Sequence, residues 1–205
     1  MVGFLGGFVG HQNAVHYEVQ IAQHLSSGIS PAALRVLTFE NRHGEQARQQ
    51  ILRLLDANGD GNLSTEEKSN ARIAIYGHSW GASETVTLAR ELARDQIPVL
   101  LTVQVDSVRK PGQNDTWIPE NVQQAVNFFQ QDGLLHGRSE IRAADTSRTE
   151  ILGNFKEGYK SNPVSLKGYP WYARLFMKPH IEIESDPAVW QRVEALIRSK
   201  LLGAN

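Results

Sequence analysis

The chain has 205 residues, 40% of them hydrophobic and 21% charged, a balance that suits a folded globular domain and excludes a disordered chain. A formal net charge of −1 gives no electrostatic footprint for nucleic acid or an anionic membrane. No apolar run approaches the ~18 residues of a bilayer span, and the absence of cysteine excludes disulfides and thiol chemistry.

At this length one domain spanning 1–205 is expected. Residues 2–9 read as a buried strand running into a glycine-rich turn, and the apolar opening over residues 1–10 lacks the basic leader and cleavage pattern expected of a signal peptide. Residues 13–25 carry apolar side chains at helical spacing. Ser30-Pro31 predicts one short helical turn. Residues 35–39 read as a second short strand. Residues 45–55 read as an amphipathic helix with Ile51, Leu52, Leu54 and Leu55 inward. Residues 73–76 form the third predicted strand and 80–94 a helix, whose Ala82, Val86, Ala89 and Ala93 suit close packing on a sheet. A fourth strand is predicted over 97–105 and a proline-initiated helix over 119–131. The stretch 132–177 promises one strand near 151–155 and a long loop. Asp186-Pro187 caps a final helix over 188–202, with Val189, Val193, Leu196 and Ile197 inward. Alternating strands and helices, with nearly continuous apolar runs in the central strands, predict an α/β fold. Its sheet is expected to be mainly parallel and flanked by helices on both faces.

Within that pattern, Gly77-His78-Ser79-Trp80-Gly81 joins the apolar strand to the helix, with Ser79 at the tip of the turn. This is the arrangement of a nucleophile elbow. A sharp turn lifts a hydroxyl clear of its neighbours, and flanking glycines let strand and helix approach. Such a serine needs a base, and the base needs an acid to orient it. Asp106 ends the fourth predicted strand, where open parallel sheets place their ligands. Asp132 and Asp145 are the alternatives. An oxyanion requires two backbone amides. Trp80 supplies the first candidate, and the Gly6-Gly7-Phe8-Val9-Gly10 loop the second, with Phe8 preferred and Gly7 next. Tyr169, Trp171, Tyr172 and Phe176 cluster before His180; they suit the wall of an acyl or aromatic pocket, core packing or a flap. Phe128 and Phe129 read as core.

Residues 56–67, Asp-Ala-Asn-Gly-Asp-Gly-Asn-Leu-Ser-Thr-Glu-Glu, match the twelve-residue EF-hand loop at its diagnostic positions. Asp56, Asn58 and Asp60 offer side-chain oxygens, Gly61 the sharp turn, and Asn62 its carbonyl. Ser64 can bind directly or through water, and Glu67 with both oxygens. Leu63 should point to the core, and Ser64 with Glu67 forms a capping box opening a very short helix. The expected ligand is Ca2+. A lone hand without a partner suits a structural clamp better than a switch, and millimolar calcium outside cells favours a secreted or periplasmic protein.

Taken with the residues quoted above and the Pro179-His180 pair, the chain resembles the α/β-hydrolase superfamily, in particular small serine esterases, lipases and thioesterase-like members. The resemblance implies a minimal α/β-hydrolase fold in which acid and then histidine follow the serine. That order eliminates His11, His16, His24 and His43. His78 sits in the elbow with its side chain expected to point away from the serine. His136 and His180 remain, and His180 is preferred, on a loop above the sheet before the last helix. The implied activity is hydrolysis of a small-molecule or lipid-like acyl ester or thioester through a Ser79–His180–Asp106 triad and an acyl-enzyme. An acid directly after the strand that follows the elbow helix looks like the thioesterase arrangement. The shortness of the chain and the calcium-loop insert depart from the common pattern. The same residue set would serve an acyltransferase or peptidase, and a non-catalytic calcium-binding interaction module on a hydrolase scaffold is the reading from another class.

Overall fold

The computed structural model describes residues 1–7, 10 and 13–203. Strand β1 (Val2–Leu5) is followed by helix α1 (Tyr17–Gly28), β2 (Leu37–Glu40), α2 (Gly44–Leu55) and the short α3 (Thr65–Ser69). Then come β3 (Ala74–His78), α4 (Trp80–Arg94), β4 (Val99–Val105), β5 (Trp117–Ile118), β6 (Val122–Phe129), β7 (Arg142–Ala143) and β8 (Glu150–Lys156). Helices α5 (Trp171–Phe176), α6 (Lys178–Glu184) and α7 (Pro187–Leu201) complete the chain.

Six strands pair in the order β2-β1-β3-β4-β6-β8, every pair parallel. Alternation along β3 explains the layers. Ala74 and Tyr76 face one core with Ile21 and Leu25 of α1 and Val189, Trp190 and Val193 of α7. Ile75 faces the other, with Ile51 of α2 and Val86, Ala89 and Leu92 of α4. The molecule is therefore an α/β protein with helices on both faces of a parallel sheet. The chain crosses from β1 to β2 on one side and returns to β3 on the other. The carboxyl ends of β1 and β3 thus form the switch point where such sheets open a crevice. No helix among the described residues is long and apolar enough to cross a membrane.

Three expectations need correction. The predicted helix over 119–131 is strand β6. Val122, Ala125, Val126 and Phe129 mimic helical spacing because the strand lies between β4 and β8 and is buried on both faces, which erases period-two alternation. Pro119 serves the turn before it, its carbonyl accepting from the Val122 amide at 3.0 Å. Next, His180 does not ride a loop: it lies in the first turn of α6, opened by Lys178 and Pro179. Finally, Leu54 is 46% exposed, whereas Ile51 is buried as expected, joined by Ala47, and Leu52 and Leu55 pack half-buried on the same core.

Candidate active site

The turn between β3 and α4 consists of Ser79 alone, with φ 56° and ψ −123°. A non-glycine residue there is strained and must be held by its surroundings. The Ser79 amide donates to the Val105 carbonyl at 3.0 Å, and the Ser79 carbonyl accepts from Val108 N at 3.2 Å and Ser83 N at 3.3 Å. The glycines permit the turn sterically. A Cβ on Gly77 would stand 2.6 Å from the Gly81 carbonyl carbon, and one on Gly81 would overlap the Phe4 carbonyl oxygen. A Cβ on Gly6 would come within 2.9 Å of the Ser79 Cβ, so the loop after β1 lies against the serine. Ser79 does not cap α4 with its own side chain, which leaves the hydroxyl for another partner at the positive end of a 15-residue helix.

That partner is His180. Its Nε2 lies 2.9 Å from Ser79 Oγ, and its Nδ1 lies 2.6 Å from Asp106 Oδ2. Asp106 follows β4 in a left-handed conformation, φ 44°, and is fully buried. The sequence pattern gave no sign of its remaining partners. Gln130 Nε2 donates to Oδ2 at 2.8 Å; the amides of Gln130 and Gly137 donate to Oδ1 at 3.1 and 2.8 Å. Burial alone would raise the Asp106 carboxyl. The hydrogen bond and charge of His180, with the Gln130 donors, outweigh it and hold the group below the ordinary carboxylate range. Any side chain on Gly137 would overlap the Asp106 backbone, so the glycine is what lets this amide reach the carboxylate.

The alternatives lie elsewhere. His136 sets its Nδ1 3.3 Å from the Gly137 carbonyl and joins the site only through its neighbour's amide. Asp132 pairs with Lys160 at 3.1 Å, and Asp145 accepts from Ser147. Trp80 begins α4 directly after Ser79. Phe8, the other expected oxyanion donor, lies outside the described residues. Gly7 takes φ 51°, and Asn41 Nδ2 ties this loop down through the carbonyls of Leu5 at 3.1 Å and Gly7 at 2.5 Å. Of the aromatic cluster, Tyr169 packs edge-on against His16, whereas Trp171, Tyr172 and Phe176 are 67%, 55% and 70% exposed on α5, which rules out core packing for these three. Phe128 and Phe129 are buried, Phe128 stacking on Phe155.

His78 does not approach the serine. Its ring packs 4.5 Å from that of His180, and its Nε2 lies 3.2 Å from the His180 carbonyl. Around it lie Glu18, Glu184 and His16, all buried. Burial, foremost, drives the His78 imidazole down to about 4 and, with the Glu184 charge, pushes the Glu18 carboxyl well above its ordinary range. Sequence spacing does not reveal this cluster, because its members come from three distant segments.

The 56–67 loop is exposed and ordered by its own oxygens. Asp56 accepts from the amides of Gly59 and Gly61 at 2.8 and 2.9 Å, Asn58 Oδ1 from Asp60 N at 2.9 Å, and Asp60 from Asn62 N at 2.7 Å. Glu67 closes the loop on Ala57 N and Ser64 N, both at 2.8 Å, and the Ser64 capping box is formed. The Ser64 and Ala57 donors hold Glu67 below the ordinary carboxylate range. Gly59 and Gly61 take φ 72° and 80°, and Leu63 packs against the α2/α4 core.

No protein-family model matches the chain, and no curated protein matches it.

Proposed function

We propose that the protein is a serine hydrolase of the α/β-hydrolase type that cleaves a carboxylic ester or thioester. The observation that carries this reading is the continuous relay from Ser79 Oγ through both nitrogens of His180 to Asp106. With the Ser79 hydroxyl donating to Nε2, the Nδ1 proton points at Asp106, which is the tautomer a general base requires. Ser79 attacks the acyl carbonyl as His180 takes its proton. Asp106 stabilises the imidazolium that forms. His180 then returns the proton to the leaving alcohol or thiol, and water repeats the sequence on the acyl-enzyme. The amide of Trp80, at the start of α4, is one oxyanion donor, and the loop after β1 supplies the second. The exposed apolar side of α5, which precedes α6, favours an acyl-chain substrate over a highly polar one.

Calcium is the proposed cofactor. Asp56, Asn58, Asp60, the Asn62 carbonyl, Ser64 and Glu67 form an all-oxygen donor set of the hardness that Ca2+ selects. Bound there, it would clamp α2 to α3 beside the elbow strand, a structural part rather than a chemical one.

A panel of p-nitrophenyl esters of graded acyl length tests the reading. Wild-type protein should turn over at least one of them, and Ser79→Ala should abolish turnover with its circular dichroism unchanged. An unaffected rate in that variant would refute the assignment. Acyl transfer to an alcohol in preference to water would favour the acyltransferase alternative.

A further inference from the structure

We propose that His16, Glu18, His78 and Glu184 form a site for a divalent first-row metal ion of the zinc class, which ties α1, the elbow strand and α6 together behind the imidazole of His180.

The position of the His78 ring proton follows from its neighbours. Its Nε2 faces the His180 carbonyl at 3.2 Å, and a carbonyl only accepts, so Nε2 carries the hydrogen. The lone pair of Nδ1 then faces Glu18 Oε1 at 3.8 Å and Glu184 Oε2 at 3.6 Å. Three acceptor atoms converge there, so a proton or a cation must lie among them. Glu18 sharpens the point: it is fully buried, and its carboxylate faces Glu184, His78 Nδ1 and the backbone amides of Gly6 and Glu18, with no cationic side chain against it. A buried carboxylate in that state is costly unless a cation or a proton meets it. Neither Glu18 nor Glu184 has a lysine or arginine among its described ion-pair partners, which are histidines only.

The separations around His78 Nδ1 suit a metal ion, and the direct His16–Glu184 contact must open for both to bind it. Ligands held at 2.0–2.1 Å around a tetrahedral zinc stand about 3.3 Å apart, close to the 3.6 and 3.8 Å separations around His78 Nδ1. His16 Nδ1 contacts Glu184 Oε1, and ligand atoms of His16, Glu18 and Glu184 all lie within 4.8 Å of one another. Two imidazoles with two carboxylates select a zinc-class ion, not calcium, which prefers oxygen alone. The Nε2–H of His78 resting on a carbonyl is the outer partner by which a metal-bound imidazole is usually oriented. A cavity of about 790 Å³ lined by Val15, Tyr17, Tyr169 and Ser185 borders the same segments.

The site acts by position. His78 immediately precedes Ser79, and Glu184 lies one turn beyond His180 on α6, so one ion fixes the segments that carry nucleophile and base. None of the four residues touches the reacting hydroxyl. Binding displaces the proton on His16 Nδ1 and any proton on Glu18, so loading releases acid.

The test uses the full chain, stripped with dipicolinate and reloaded with Zn2+ in excess calcium. One zinc per chain by elemental analysis, proton release on loading, and visible bands of nitrogen-ligated cobalt after Co2+ substitution are expected. Glu18→Gln should weaken zinc affinity by more than about 100-fold, a larger loss than outer-partner changes produce. Asp60→Asn, in the calcium loop, should leave it unchanged. If Glu18 and Glu184 merely share a proton, glutamine supplies the missing donor, the variant melts no lower than wild type, and Zn2+ shifts neither melt; that result overturns the proposal. Should Glu18→Gln fail to fold, the wild-type metal count and cobalt spectrum decide alone. Zinc below stoichiometry with a featureless cobalt spectrum overturns it equally. The metal count does not depend on catalysis, so it stands or falls apart from the hydrolase reading.

Discussion

Asp106→Asn is the most informative single-atom change. All four contacts to the Asp106 carboxylate are donors: His180 Nδ1 and Gln130 Nε2 at Oδ2, and the Gln130 and Gly137 amides at Oδ1. Asparagine must place an NH2 on one side. The two backbone amides cannot turn, so its oxygen stays with them and its NH2 faces His180. His180 must then accept at Nδ1, which moves its proton to Nε2 and removes the acceptor for the Ser79 hydroxyl. A wrong tautomer of this kind lowers kcat by roughly 10⁴-fold, or about 5.4 kcal/mol of transition-state stabilisation. Gln130 cannot relieve the clash by flipping. Its Oε1 accepts from Asp132 N and its Nε2 also donates to the Leu135 carbonyl, both at 2.9 Å. An additional loss of about 1–3 kcal/mol in folding stability is expected from that frustrated group. Steady-state turnover of the best ester gives the first quantity and urea denaturation the second. A variant within 10-fold of wild-type kcat would refute the orientation argument.

Gln130→Leu should lower the urea midpoint at neutral pH. A carboxyl held below its unfolded value contributes stability above about pH 3.9, lost as pH falls through the folded value, so the gap to wild type should narrow in acid; a pH-independent gap would contradict the role given to Gln130. Gly81→Ala should destabilise by about 1–3 kcal/mol, because its Cβ meets the Phe4 backbone rather than a movable side chain; an unchanged melting temperature would count against the close α4–β1 packing. At calcium ~100 times its dissociation constant, the wild-type fold should gain about 2.7 kcal/mol, and melts of Glu67→Gln with calcium and with chelator should coincide. Coincident curves in wild type would remove the calcium loop from the account.

Local chemistry made much of this molecule legible. Strand β3, the Gly77–Gly81 turn and α4 are contiguous, and only glycine tolerates the approach of Gly81 to β1, so the elbow was visible in five letters. The capping box at Ser64 was legible for the same reason. Long-range facts were not. Burial of β6 on both faces removed the alternation that marks a strand, and the apolar side chains that remained fell at helical spacing. The donors that hold Asp106 arrive from Gln130 and Gly137, 24 and 31 residues away, and two of the three are backbone amides, which leave no mark in the residue types. The His16–Glu18–His78–Glu184 cluster unites helices at opposite ends of the chain, so its members read individually as ordinary polar residues.

Reaction with a fluorophosphonate, read by intact mass and peptide mapping, addresses the central claim most directly. One adduct per chain is expected, located on Ser79, absent from Ser79→Ala and strongly slowed in His180→Ala. A native, folded protein that takes up no label, or takes it up on another residue at an undiminished rate in Ser79→Ala, would contradict it.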